Sequence, residues 1–187
     1  NNSFILALQD EMFLSLCKDF LNKSNTACIY SKNFYYEGDL LNTKKAGFGR
    51  LIKFKFNNNI EEGMLKENYR QICNDIKEID LGFFLKGTLV YGCRFYTPSE
   101  YYYGTFKTIG DDISLPDENG FYFLSIENPF SNKNTDNLKE KVTYNFKGQF
   151  KNNLFNINGS LDIQFSKDSL FRHINYTGEF NEGLVEG

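Results

Sequence analysis

His173 is the only histidine in these 187 residues, standing beside Arg172 and three residues before Tyr176. A general base or a metal ligand there needs a second group within reach, and no spacing in the sequence supplies one. His173 therefore reads as a surface or edge side chain. Paired carboxylates occur at Glu61-Glu62 and Asp111-Asp112. Neighbours on a strand point to opposite faces, so both pairs read as solvated turns rather than acid-base dyads. Gly47-Phe48-Gly49 lacks the helix start and the Lys-Ser/Thr that a phosphate loop needs. Four cysteines, Cys17, Cys28, Cys73 and Cys93, show no C-x-x-C spacing, so reduced thiols are expected rather than a metal centre or redox pair. The expectation is a non-enzymatic protein with no catalytic residue, metal or cofactor.

Charge narrows the partners. Twenty-one Lys and Arg against 24 Asp and Glu leave a net charge of -3, with no positive excess to condense on phosphate, so nucleic-acid binding is not expected. Lysines come in pairs, as at Lys44-Lys45, Lys53 with Lys55, and Lys139 with Lys141, whereas polybasic membrane attraction takes a larger cluster. Weak or no direct lipid binding follows. The Phe4–Leu8 run has no basic start and is followed by Gln9-Asp10-Glu11, which suits neither a signal peptide nor a membrane span. A soluble, cytoplasmic chain is expected. Because it starts at Asn1 without Met and ends at Gly187 inside a repeat, it is expected to be part of a longer polypeptide.

The elements that must position any site divide the chain in two. From Ser3 to about Lys23, Ile5, Leu8, Met12, Leu16 and Phe20 recur every three or four residues, predicting a helix, and Leu6, Phe13, Cys17 and Leu21 widen its apolar face. Residues 3–27 are read as a helix capping a sheet. From Cys28 the pattern becomes short alternating stretches broken by Gly, Asn and Asp, which predicts antiparallel hairpins over 28–187. Aromatics make up 17% as 20 Phe and 12 Tyr, types that favour strands. Two segments break the pattern. Asn68–Asp80, with Ile72, Ile76 and Ile79, is read as a short helix or irregular insertion, and 127–140 as a mobile surface insertion.

A five-residue frame centred on glycine recurs at Gly38, Gly63, Gly87, Gly104, Gly148 and Gly178. Except at Gly63, an aromatic residue or Leu lies two before and two after. The two large side chains are expected to point into a core and the glycine to the opposite face, open to close approach. Gly47, Gly49 and Gly159 fall in the second strands of such hairpins. A hairpin of this size cannot bury its own face and must stack on its neighbours. The frame aromatics Tyr36, Tyr102, Phe106, Phe146, Phe150, Tyr176 and Phe180 are core candidates, and also candidate anchors for an amphipathic helix in a groove. Closure of the hairpins into a barrel around a small apolar ligand is a further reading.

Tyr36-Glu37-Gly38-Asp39-Leu40 with Gly47-Phe48-Gly49, and Tyr176-Thr177-Gly178-Glu179-Phe180 running on to Gly187, resemble MORN repeats. The copies at Gly104 and Gly148 match moderately, and those at Gly63 and Gly87 are degenerate. The resemblance covers roughly Tyr35 to the end and departs from the family pattern in having no Trp. It implies a mainly β fold of stacked antiparallel hairpins in an elongated, twisted single sheet, which follows the N-terminal helix expected from the apolar spacing. It also implies a scaffold or protein-interaction module of a cytoskeletal, ciliary or membrane-associated assembly, which binds a partner helix or self-associates as a homo-oligomer. The alternative it implies is a regulatory module of a larger enzyme of the lipid kinase or lysine methyltransferase type.

Overall fold

The computed structural model describes residues 11–22, 26–31, 33–55, 76–127, 141–165 and 173–186. One helix, α1 (Glu11–Asn22), precedes eleven strands: β1 (Ala27–Ser31), β2 (Phe34–Leu41), β3 (Lys44–Phe54), β4 (Ile76–Leu85), β5 (Thr88–Thr97), β6 (Glu100–Gly110), β7 (Ile113–Glu127), β8 (Lys141–Lys151), β9 (Leu154–Phe165), β10 (His173–Asn181) and β11 (Leu184–Glu186). They form one sheet in strict sequence order, with β1 and β11 at its two edges. The protein is mainly β, an open antiparallel sheet of consecutive hairpins with a short N-terminal helix, not a closed barrel. Two-residue turns with positive φ, such as Asn42-Thr43 and Asn152-Asn153, join β2 to β3 and β8 to β9. Such turns match the twist of the strands they connect.

The chain divides into two units. One holds the chain up to Arg94 together with Thr108–Ser114, and the other holds Phe95–Lys107 and the chain from Leu115 onward. In the first unit, α1 lies against β3, with the Phe20 ring edge-on to Phe48 at 5.6 Å between centroids. Cys17 and Phe20 are buried whereas Met12, expected on the apolar face, is 68% exposed. The expected helix residues Ile5, Leu6 and Leu8 lie outside the described residues.

Ile76 and Ile79 belong to strand β4, not to a helix. The pairing with β3 slips between Lys53 and Phe54, so that Phe54 faces Ile76 while Lys53 faces Glu78. This irregularity brings Ile76 and Ile79, three residues apart, onto one cluster with Ile52, Phe54 and Tyr35. A bulged strand thereby acquires a helical spacing. The rest of that expected insertion, and residues 128–140 of the other, lie outside the described residues. At the last hairpin β11 pairs only Glu179–Asn181, so β10 from His173 to Gly178 has no outer strand beside it among the described residues.

Candidate functional site

The glycines of successive strands stand opposite one another. In the first unit Gly38 faces Gly49, and Gly49 faces Gly82; in the second, Gly120 faces Gly148, Gly148 faces Gly159, and Gly159 faces Gly178. Contrary to expectation, the frame glycine shares the face of its aromatic neighbours, because residues two apart on a strand point the same way. The row of missing side chains is a trough, and an aromatic ring lies down in it. A Cβ on Gly120 would come within 2.3 Å of the Tyr102 ring, and one on Gly159 within 2.4 Å of Phe146. No side chain fits beneath those rings.

Tyrosine is useful in this position because its hydroxyl reaches the backbone where the ladder is interrupted. Tyr36 Oη donates to the carbonyls of Asp39 (2.9 Å) and Ala46 (3.1 Å), next to the register shift after Gly38. Tyr176 does the same at Glu179 (3.2 Å) and Glu186 (3.0 Å), and Tyr102 donates to Thr105 (3.0 Å). Burial pushes the phenols of Tyr36 and Tyr102 well above their ordinary range, so both keep their donated proton.

Six of the seven frame aromatics are therefore core. Tyr36, Tyr102, Phe106, Phe146, Phe150 and Phe180 are buried, and only Tyr176 is half-buried. Gly104, like Gly38, sits beneath the hydroxyl of its own frame tyrosine. Gly47 packs on the Asp39 side chain at φ +57°, and Gly63 lies outside the described residues. Gly87 is no frame centre: it is the second residue of the β4–β5 turn, which puts Leu85 and Leu89 on different strands.

The glycines that do approach each other in that hairpin are Gly82 and Gly92, each placing a Cβ position 2.7 Å from the other's Cα. Sequence reading passed over them because polar residues, Asp80 and Arg94, stand two positions away where the frame has apolar ones. The guanidinium of Arg94 grips Asp80 in two hydrogen bonds, 2.6 and 2.9 Å, and donates to the Ser114 carbonyl at 2.6 Å. Both side chains are buried, at 5% and 1% exposure. Lys53 pairs with Glu78 and lies 3.6 Å from Asp80. Burial alone would raise the Glu78 carboxyl, but Arg94 and Lys53 outweigh it and hold it below the usual range. Every charge here is spent on another, which suits structure rather than catalysis.

Glu61-Glu62 and Cys73 lie outside the described residues, and the remaining chemical candidates are accounted for locally. His173 is exposed and its Nε2 contacts Asp162, which also accepts from Gln164 at 2.7 Å. Asp112 sits in the β6–β7 turn and pairs with the buried Lys45 at 2.6 Å. Cys17 and Cys93 are buried, Cys28 is exposed, and burial raises the Cys93 thiol well above its ordinary value. Among the described residues no group of three or more His, Cys, Asp or Glu could hold a metal ion, and no helix is long and apolar enough to cross a membrane.

One feature of the second unit is open to a ligand. A cleft of about 550 Å³ lies over the strands beside the glycine row. Tyr122, Phe146 and Leu161 stand opposite one another on β7, β8 and β9, with Leu124 opposite Tyr144 in the next row. Tyr96, Phe150, Leu154 and Phe155 complete its apolar lining, and Glu100 and Asn153 add polar groups. Phe155 stacks on Phe146 at 3.9 Å and meets Tyr122 edge-on at 5.7 Å. Tyr122 Oη donates to Glu100 Oε1 at 2.7 Å, and Tyr96 Oη reaches Asn153 Oδ1 at 3.4 Å. Only Phe146 and Phe150 of the seven frame aromatics touch this cleft. Of the missed residues, Tyr122, Leu124 and Tyr144 lie two or four positions from a glycine of the row, so alternation outward from Gly120 and Gly148 would have found them.

The geometry thus defines a hairpin-repeat β protein with an aromatic cleft on one face of its second unit. No protein-family model matches the chain, and comparison with curated proteins returns no match.

Proposed function

We propose that the chain is a non-enzymatic, MORN-like scaffold module whose second unit holds an amphipathic helix of a partner protein. The cleft carries this reading: it is apolar and open, and Tyr122, Tyr144, Leu161 and Phe155 lining it are only half-buried. The row Tyr122, Phe146, Leu161 crosses three adjacent strands, a span of about 10 Å. That is close to the width of an α-helix with its side chains, about 10–12 Å. Helix-in-groove binding sets an apolar helix face on such a surface. A cytoplasmic place in a cytoskeletal, ciliary or membrane-associated assembly belongs to the same proposal.

The test is a display selection of amphipathic helical peptides on the intact chain, followed by fluorescence polarisation. Selected helices should bind at least about tenfold more weakly to the Leu161→Glu variant, because a charge then faces their apolar side. Binding unaffected by Leu161→Glu, in a variant with an unchanged circular dichroism spectrum, would place the partner elsewhere.

A further inference from the structure

Among the described residues lining the cleft, Glu100 is the only one with a carboxylate, and none carries a cationic side chain. Its Oε1 accepts from Tyr122, and Oε2 accepts no hydrogen bond among the described residues. The Tyr122 phenol is pushed above its ordinary range by burial first and by Glu100 second. A purely apolar occupant would seal that carboxylate from water without a counter-charge, a penalty that discriminates against such a ligand. A cation removes the penalty. Aromatic rings of the lining such as Tyr122 and Tyr144 attract a cation as well, while the methylene stem of a lysine lies comfortably against rings.

We infer that the cleft selects a helix presenting one lysine within its apolar face, the stem on the aromatic rows and the ammonium at Glu100. The inference rests on the helix-binding reading above and names the chemistry of its anchor.

Two synthetic probes separate the ideas. Both are the same Leu/Ala-rich amphipathic helix of about five turns. One carries a lysine at the centre of the apolar face, the other norleucine, which has a similar stem without the charge. Fluorescence polarisation with the intact chain should show the lysine probe binding about tenfold more tightly. Glu100→Gln keeps an acceptor for Tyr122 and removes only the charge. It should abolish the tenfold preference, with the norleucine probe binding at least as tightly as it does to the wild type because no unpaired charge is then buried. Equal binding of both probes, or a preference that survives Glu100→Gln, overturns the lysine anchor while leaving the cleft as a helix site. If neither probe binds, or if binding ignores Leu161→Glu, the cleft reading fails and the anchor with it.

Discussion

At the scale of single residues, the ring-over-glycine contact sets what the sequence tolerates. Gly120→Ala forces a methyl group into the Tyr102 ring, which is fully buried and has nowhere to go. Overpacking of this kind should cost about 1–3 kcal/mol in urea denaturation. A loss of less than a few tenths would mean that the ring swings clear. Tyr36→Phe keeps the ring but removes the donor to Asp39 and Ala46. Leaving those carbonyls short should cost about 1–2 kcal/mol by the same measurement, with the circular dichroism spectrum unchanged. The frame itself was legible, since its residue types and its spacing of two stand in the sequence. Which face the glycine occupies follows from the same alternation, and the expectation of the opposite face was overturned by it.

At the scale of elements, the β4–β5 hairpin shows how one repeat departs from its neighbours. Where the frame calls for apolar side chains, Asp80 and Arg94 form a buried pair instead. Removing one partner strands a charge, so Arg94→Met should destabilise the first unit by about 3–5 kcal/mol, whereas Asp80→Leu combined with Arg94→Met should recover most of the loss. A double variant as unstable as the single one would assign the cost to lost packing. The strands β2, β3, β8 and β9 were readable from alternation and turn residues. The start of β4 was not, because the irregular pairing at Lys53/Phe54 gave Ile76 and Ile79 the spacing of a helix. The hairpin at Gly87 was misplaced for a related reason, a turn sequence that mimics the strand frame.

At the scale of the molecule, stability should follow the acid limb of the buried charges. The Glu78 carboxyl titrates below its usual value in the folded state, so its stabilising contribution is full above its ordinary pKa of about 4.3. That contribution is lost as pH falls through the lower folded value. Thermal melts should therefore decline below about pH 4. Glu78→Gln should lie below wild type at neutral pH and converge with it in acid; a constant gap would remove Glu78 from the acid response. What the sequence by itself determined is the class of fold: strand types, tight turns and a recurring glycine frame leave little but stacked antiparallel hairpins. Only the tertiary structure decided where a ligand has room. Frame aromatics and cleft aromatics are the same residue types at the same alternation, and pairing across strands alone sinks Tyr102 and Phe180 while leaving Tyr122 and Tyr144 half-open. Burial is a property of what lies on the neighbouring strand, and register is fixed by the whole sheet rather than by any one segment.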